Sequence, residues 1–398
     1  MEVILSIKQR NSVLLSMARL VQEEKASILE ANALDMANFD QNDLAMSDRL
    51  KVDEGKIHGM VLSLMQLADQ SDPVGVERFH FTHENGLEIY NKTASFGTVM
   101  IIYESRPDVT IEAGGIAFKS GNKILLKGGK ESLNSNQAIV NLWQKALNEN
   151  NVSTHWVTYL NYSREETREY LKSPDEKIDL IIPRGGERLI AFVKENASCP
   201  VIVSGRGNNF VYVAKEADQK KALDIILNAK TDKISACNAL DKVLIDKNLP
   251  NASEFVNRLL DRLKAHKVEI FAGVGLEHFS GVKPISGEEI WFEEFLDYKI
   301  LLDETNSVGD AISRINTYGG GHSASIITEN EQEATAFLNA VDAAAVYHNA
   351  STRFTDGFQF GLGGELAIST DKLHQRGPIG LQHLVTNKWY VYGNGQIR

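Results

Sequence analysis

The amino-acid sequence predicts an α/β protein in which short parallel strands alternate with longer helices. Between residues 98 and 204 the chain switches repeatedly between short β-rich runs and helical stretches, which is typical of consecutive βαβ units. A second region of the same character begins near residue 209. The 398 residues, of which 43% are hydrophobic and 24% charged, suffice for a large core and for two or three domains.

The first 70 residues predict several helices, because they are rich in Leu, Ala, Met, Glu and Gln and carry apolar residues at helical spacing. The segment Asp72-Pro73-Val74-Gly75 ends this pattern. From residue 78 to residue 103 apolar and polar residues alternate around Glu84-Asn85-Gly86, where the Asn-Gly pair favours a hairpin turn. The helices are therefore expected to lead into antiparallel strands.

The first α/β region is expected to supply five strands and the helices between them. The predicted strands span residues 98–103, 123–127, 155–159, 178–182 and 200–203, and two of the predicted helices span 133–147 and 187–196. Parallel strands bind ligands at their carboxyl ends, so the turns that follow them are the candidate sites. Two of those turns hold glycine pairs, Gly128-Gly129 and Gly185-Gly186. Such pairs either approach a cofactor's phosphates or ring closely or simply connect strand to helix.

The second α/β region is expected to run from about residue 209 to residue 365, with Cys237 near its start. The last stretch, 387–398, holds Trp389, Tyr390, Val391 and Tyr392 and predicts a terminal strand. Because no partner for this strand is evident nearby, it is a candidate for pairing across a subunit contact.

Composition and charge exclude several classes of function. A net charge of -11 opposes binding to nucleic acid or to an anionic membrane, since such binding depends on Lys and Arg. The two cysteines, Cys199 and Cys237, are too few for a disulfide framework or a thiolate metal site. His80 and His83 lack a third ligand at metal-site spacing and are interpreted as surface residues. With neither a signal peptide nor a membrane-spanning segment in the N-terminal stretch, a soluble cytoplasmic protein is expected.

The candidate nucleophile is Cys237, which follows Lys230 and Lys233. Nearby cations lower the pKa of a thiol and favour the reactive thiolate. On spacing alone the alternative, a structural cysteine in a packed core, stays open. Cys199 precedes Pro200 and an apolar run and is interpreted as structural.

A strict Gly-x-Gly-x-x-Gly dinucleotide motif is missing from the sequence. The nearest match, Gly319-Gly320-Gly321-His322, follows a segment that looks helical rather than strand-like, so a loop is predicted there. A phosphate-binding P-loop is also missing, because Gly129-Lys130 is followed by Glu131 rather than Ser or Thr.

Taken together, six motifs resemble γ-glutamyl phosphate reductase, also called glutamate-5-semialdehyde dehydrogenase, a branch of the aldehyde dehydrogenase superfamily. The resemblance covers nearly the whole chain from about residue 95 onward. The motifs are YESRP at 103–107, GNKILLKGG at 121–129, LIIPRGG at 180–186, SACNA at 235–239, NASTRFTDG at 349–357 and ISTDKLHQRGP at 368–378.

The resemblance implies an aldehyde-dehydrogenase-like architecture of three parts. A Rossmann-type NADP-binding domain would comprise residues 1–77, 98–208 and 366–386, and an α/β catalytic domain residues 209–365. A small β oligomerisation element would combine the hairpin 78–97 with the C-terminal strand 387–398. It further implies a homo-oligomer and an association with a glutamate kinase.

The resemblance also implies roles for individual residues. Cys237 would be the nucleophile, and the neighbouring Asn238 amide would take part in the catalytic site. Lys127 and Gly128 would contact the adenosine ribose or its phosphate. The nicotinamide half of the cofactor would be bordered and held by three residues, Gly185, Gly186 and Glu294.

Two positions depart from the patterns of relatives. Asp108 stands where many carry an Asn that donates to an oxyanion, and an ionised aspartate cannot donate. Oxyanion stabilisation is therefore expected from backbone N–H groups near Cys237 or from the Asn238 amide. The segment VSGRG at 203–207 replaces the Glu-Leu-Gly-Gly of hydrolytic aldehyde dehydrogenases. Without that glutamate, no general base is expected to activate water there.

The implied reaction is the NADPH-dependent reduction of glutamyl 5-phosphate to glutamate 5-semialdehyde in proline biosynthesis. NADPH is expected because Lys127 and Lys130 flank the Gly128-Gly129 turn, where a 2′-phosphate could be received. Arg106 and Arg353 are candidates for holding the anionic substrate, with a structural salt bridge as the alternative for each. Three rival functions are a non-phosphorylating aldehyde dehydrogenase, a reductase of another acyl phosphate or acyl thioester, and a catalytically silent partner-binding subunit.

Overall fold

The computed structural model describes residues 5–39 and 44–398 and divides the chain into two compact units. Unit 1 comprises Met1–Val203, Gly361–Ala367 and Ile379–Arg398. Unit 2 comprises Ser204–Phe360 and Ile368–Pro378. No helix in the described part of the chain is both long enough and apolar enough to cross a membrane.

Unit 1 begins with the helices that the sequence predicts. Ser6 starts the first of them with a capping box, in which its hydroxyl accepts from the backbone N–H of Gln9. Asp53 caps the fourth in the same way by accepting from the N–H of Lys56. The four helices are α1 Ile7–Glu23, α2 Lys25–Ala37, α3 Leu44–Leu50 and α4 Glu54–Asp69.

The predicted hairpin and βαβ units follow. The elements are β1 Glu77–Thr82, β2 Glu88–Ser95, β3 Thr98–Tyr103, α5 Val109–Lys119, β4 Lys123–Lys127, α6 Leu133–Glu149, β5 Val157–Tyr159, α7 Arg164–Lys172, β6 Leu180–Arg184 and α8 Glu187–Asn196. Strands β3 to β6 form a parallel sheet in the order β5-β4-β3-β6. The apolar side chains of β3 and β4 are buried on both faces of this sheet. Those on one face pack on α1, α4, α5 and α6, and those on the other face pack on α7 and α8.

Three of the five strand predictions in this region need correction. The expected strand 155–159 begins only at Val157, because the two residues before it belong to a 3-10 turn. The expected strand 178–182 lies two residues further on, and it includes Pro183, which an edge strand tolerates. The expected strand 200–203 is reduced to a single bridge between Ile181 and Val201.

Unit 2 is a second α/β layer structure. Its elements are β7 Asn209–Val213, α9 Gln219–Thr231, β8 Leu240–Asp246, α10 Ala252–Ala265, β9 Glu269–Ala272, β10 Lys283–Pro284, α11 Glu289–Phe292, β11 Lys299–Thr305, α12 Val308–Tyr318, β12 Ser323–Ile327, α13 Glu331–Ala340 and β13 Ala345–His348. The seven strands are parallel, in the order β10-β9-β11-β8-β7-β12-β13. Every residue of β7 and β8 is buried, so these two strands form the rigid centre of the unit.

The C-terminal part contains β14 Ala367–Ser369, β15 Gly377–Ile379 and β16 Val385–Tyr392. The terminal strand, for which no nearby partner is evident in the sequence, has a partner within the chain. β16 pairs antiparallel with β2, from Val385 opposite Ser95 to Tyr392 opposite Glu88. The free edge of the hairpin provides this partner, and the result is a three-stranded sheet in the order β1-β2-β16.

Candidate active site

Cys237 lies in unit 2, in the turn between α9 and β8. Two tight turns shape the segment, since Ala236 N–H donates to the Lys233 carbonyl and Ala239 N–H donates to the Ala236 carbonyl. The side-chain amide of Asn209, at the start of β7, donates to the carbonyl oxygens of Cys237 and Ala239 at 2.7 Å each. The backbone on the carboxyl side of the thiol is therefore fixed to the buried strand β7.

Gly207 brings a second segment against this turn. Its N–H donates to Oε1 of Glu294 at 2.9 Å. A Cβ at this position would overlap the Cys237 carbonyl oxygen and lie 2.6 Å from Glu294 Oε1. Only glycine at this position lets both the Cys237 carbonyl and the Glu294 carboxylate approach the Gly207 backbone.

Asn238 has a different role from the predicted one. The residue is buried, and its side-chain nitrogen donates to the carbonyls of Arg353 and Thr355 at 3.2 and 2.9 Å. An amide nitrogen has two hydrogens, so both are used within the protein. The expectation that this amide donates to a substrate oxyanion is therefore corrected: it fixes the 352–355 segment, and the backbone N–H groups of the turn are left as the candidate donors.

Arg353 follows the buried Ser351 and Thr352 in a 3-10 turn. The Thr352 hydroxyl donates to the carbonyl of Asn238 at 2.8 Å, which ties this turn to the cysteine turn. The Nε of Arg353 pairs with Asp232 at 3.0 Å. The structural ion pair is thus present, and it occupies only one side of the guanidinium.

The triple glycine at 319–321 is a loop, as predicted, and it packs against the same segment. A Cβ on Gly320 would overlap the carbonyl oxygens of Arg206 and Gly207. Next to it, His322 is buried, and burial lowers its pKa to about 4. Its Nδ1 lies 2.7 Å from the Ser323 hydroxyl, which in turn lies 2.7 Å from the hydroxyl of Thr355. A neutral histidine therefore supports the 352–355 segment, to which Asn238 donates.

In unit 1 the predicted glycine turns lie at the carboxyl ends of β4 and β6, the two strands that pair with β3. The turns after β4 and β6 flank the turn after β3, because β3 lies between those strands. The ammonium group of Lys127, at the end of β4, donates to the Gly128 carbonyl at 2.9 Å. Burial lowers the pKa of this lysine, and the charge of Glu131 opposes that change.

The turn at Gly185-Gly186 is held by Glu104. The Glu104 carboxylate accepts from the N–H of Gly186 at 3.0 Å and would overlap a Cβ on Gly185. A Cβ on Gly186 would instead meet nothing within 4 Å, and this residue starts α8. The turn therefore leaves open space beside a helix N-terminus whose first N–H already binds the Glu104 carboxylate.

Arg106 and Asp108 follow β3 in a strained turn, in which Ser105 has φ 40°. Glu131 stabilises the turn by accepting from both the N–H and the hydroxyl of Ser105 at 2.8 Å. Asp108 Oδ1 is buried and makes no hydrogen bond to any described residue. Burial and the Asp108 charge raise the pKa of Glu112 to about 7, while Arg184 and Arg106 act in the opposite direction.

Several residues of these sites were not predicted. Glu104 and Glu131 bridge turns that are distant in sequence, and Gly207, Asn209 and Thr355 do the same in unit 2. Glu104 and Thr355 lie within the motifs at 103–107 and 349–357, but nothing in their sequence context indicates a bridging role. Among the described residues, no group of three or more His, Cys, Asp or Glu side chains is arranged to hold a metal ion.

We predict that Gly207→Ala destabilises the protein by about 2 kcal/mol, because the added methyl group forces the Cys237 carbonyl and Glu294 apart. Thermal and urea unfolding measure the change. Gly59→Ala is the control, since its Cβ would meet nothing within 4 Å in the helix α4 and should be neutral or stabilising. Equal stability of the Gly207→Ala variant and the wild type would contradict the close approach.

Comparison with known proteins identifies the family of the chain. The profile of the Aldehyde dehydrogenase family matches residues 4–271. A gamma-glutamyl phosphate reductase of Clostridium botulinum (strain Alaska E43) is 42% identical over 98% of this chain and 94% of its own. The crystal structure of gamma-glutamyl phosphate reductase from Thermotoga maritima superposes with a TM-score of 0.93 at 39% identity, covering 99% of this chain and 95% of that one.

A more distant structure shares the fold. An engineered glycolyl-CoA reductase with bound NADP+ superposes with a TM-score of 0.70 at 15% identity, covering 98% of this chain and 92% of that one. The predicted α/β fold and the predicted family are thereby confirmed. The chain belongs to the gamma-glutamyl phosphate reductases, within the aldehyde dehydrogenase family of nicotinamide-dependent oxidoreductases.

Proposed function

We propose that this protein reduces γ-glutamyl phosphate to glutamate 5-semialdehyde with NADPH, releasing phosphate, as a step of proline biosynthesis. The observation that carries the proposal is the setting of Cys237. Its thiol stands on a turn whose carbonyl is fixed by Asn209 and closed in by Gly207. A nucleophile held in one geometry attacks a bound acyl group with little further loss of entropy.

The segment beside this turn argues for an acyl phosphate rather than an aldehyde hydrolysed through water. Residues 203–207 contain no carboxylate, and a Cβ on Gly205 would overlap the side chain of Thr370. The carboxylate that does contact the segment, Glu294, accepts from the N–H of Gly207. Phosphate is a good leaving group, so acylation of Cys237 needs neither a strong acid nor an activated water.

Side chains of this protein supply the nucleophile for the acylation step and the cations that bind the anionic substrate. The Cys237 thiolate attacks the γ-carbonyl, phosphate leaves with the bonding electrons, and a thioester remains on the sulfur. Arg106 and Arg353 are the proposed anion holders. Arg353 keeps donors for this task, because a guanidinium has five N–H groups and Asp232 engages its Nε. Phosphate and carboxylate both match the planar fork of such a group.

Three features of unit 1 fit a dinucleotide. The three turns at the carboxyl ends of β3, β4 and β6 are neighbours. Open space lies beside Gly186 at the start of α8. Lys127, the last residue of β4, places an ammonium group at the same edge of the sheet. Lys127 and Gly128 would hold the adenosine half, and Gly185 and Gly186 the nicotinamide half, whose ribose Glu294 would bind. The cofactor supplies the hydride that reduces the thioester to the aldehyde.

The same proposal includes a homo-oligomer formed through the sheet β1-β2-β16. Every residue of β1 is exposed, and both outer strands present aromatic side chains to solvent. Phe79 and Trp389 pack edge to face across the sheet with ring centroids 5.8 Å apart, and both remain about half exposed. An apolar surface of this kind is typical of a contact between copies of one chain.

The function is tested in reverse, with glutamate semialdehyde, NADP+ and phosphate as substrates. We predict phosphate-dependent formation of NADPH by the wild type and at least about a thousandfold loss in Cys237→Ala and Cys237→Ser, since sulfur is needed for the thioester. Cys199→Ala, at the partly buried cysteine of unit 1, is the control and should keep its activity. Phosphate-independent oxidation would favour a hydrolytic dehydrogenase, and activity only with another aldehyde would favour a different acyl substrate.

Coenzyme preference tests the assignment of Lys127. We predict that the wild type prefers NADPH and that Lys127→Ala raises the KM for NADPH about tenfold while changing the KM for NADH little, because one charged contact to the 2′-phosphate is lost. Lys145→Ala, which removes an exposed lysine paired with Glu24, is the control. Equal catalytic efficiency of the wild type with the two coenzymes would overturn the assignment.

A further inference from the structure

The backbone around Glu294 is held at both ends by two consecutive residues of β8. The ammonium group of Lys242 donates to the carbonyl of Glu293 at 2.7 Å. The carboxylate of Asp241 accepts from the N–H of Phe295 at 3.2 Å. Both peptide groups that flank Glu294 are therefore tied to one strand, although the residue itself lies in the loop between α11 and β11.

The two side chains are fully enclosed. The Lys242 ammonium lies 3.9 Å from the centre of the Phe295 ring, a cation–π contact within the core. A second buried lysine, Lys230 of α9, lies 3.6 Å from Asp241 and donates to the carbonyl of Leu240 at 2.8 Å. Two lysines and one aspartate thus share a site from which water is excluded.

Such a cluster is a poor source of stability. Burial lowers the pKa of Lys242 to about 8, which reflects the cost of desolvating its charge, while Asp241 acts in the opposite direction. Replacing buried ion pairs by apolar side chains is often neutral or stabilising. What the charges do supply is a fixed position for the two peptide groups that they bind.

The same strand also carries the cysteine turn. β8 begins three residues after Cys237, and it pairs with β7, whose first residue Asn209 holds the Cys237 carbonyl through its side chain. The carboxylate of Glu294 in turn reaches Gly207, which closes over that carbonyl. Any shift of the 293–295 backbone therefore moves the Glu294 carboxylate relative to the nucleophile.

We propose that Asp241 and Lys242 are positioning residues that hold Glu294 in the geometry for binding the nicotinamide ribose. This inference rests on the proposed function, in which Glu294 binds that ribose. The two residues touch neither substrate nor coenzyme, and they act through the carbonyl of Glu293 and the N–H of Phe295. Loss of either side chain is expected to weaken the binding of NADPH more than it lowers the turnover number of the enzyme–coenzyme complex.

Lys242→Met tests the proposal, because methionine keeps much of the volume and removes the donor. In the protein without coenzyme, hydrogen exchange should become faster at the amides of residues 293–296 and at Gly207. The dissociation constant and the KM for NADPH should rise about tenfold, the change expected when the displaced Glu294 carboxylate loses one charged hydrogen bond to the ribose, while kcat falls less than about threefold. Lys242→Arg, which retains a charged donor, should recover part of the affinity.

Lys119→Met is the matched control, since Lys119 is a fully buried lysine of unit 1 that donates to Asn11 and to the Ala68 carbonyl. It should lose stability yet keep the wild-type affinity for NADPH. If Lys242→Met does not fold, Lys242→Gln carries the same test, because its shorter amide cannot reach the Glu293 carbonyl.

The outcomes separate this inference from the function on which it rests. A folded Lys242 variant with unchanged exchange at 293–296 and unchanged NADPH affinity would overturn the positioning role, while wild-type turnover would leave the function intact. A wild type that fails to bind NADPH would overturn the proposed function. In that case the exchange measurement alone decides whether Lys242 holds the Glu294 backbone.

Discussion

The structure of unit 2 depends on one close approach, the contact of the Gly207 peptide with the Cys237 carbonyl and the Glu294 carboxylate. Gly320 packs on the far side of the same peptide, where a side chain would overlap its carbonyl oxygen. A Cβ at Gly207 or Gly320 would separate segments that are dozens of residues apart in sequence. The arrangement of thiol and carboxylate is therefore a consequence of backbone packing.

In unit 1, two carboxylates rather than glycines hold together segments that are distant in sequence. Glu104 joins the turn after β3 to Gly186, and Glu131 joins it to the turn after β4. Each acceptor satisfies backbone N–H groups in places where regular strand pairing has ended. The three turns are thereby fixed at the edge where a parallel sheet binds its ligand. Cys237, by contrast, does not lie at the carboxyl end of a parallel strand, because it precedes the amino end of β8.

Local patterns predicted the elements well and the connections between them poorly. The bounds of β3, β4 and α8 follow from β-rich runs and helical periodicity. Three contacts join residues 51 or more positions apart, and no local pattern predicts them. They are the pairing of β16 with β2, the donation of the Asn238 amide to the carbonyls of the 353–355 segment, and the hydrogen bond of Lys242 to the Glu293 carbonyl. The strand expected at 200–203 shortens to one bridge, since an apolar run does not determine how many of its residues pair with a neighbouring strand.

The central claim is that the acyl group passes through a thioester on Cys237, and trapping that species tests it most directly. The full-length protein is mixed with glutamate semialdehyde and NADP+ in phosphate-free buffer, then quenched for peptide mass spectrometry. The account predicts a burst of one NADPH per active site, no further turnover, and a glutamyl adduct on the peptide that contains Cys237. Continuous NADPH formation without phosphate, or a burst with no adduct on that peptide, would contradict it.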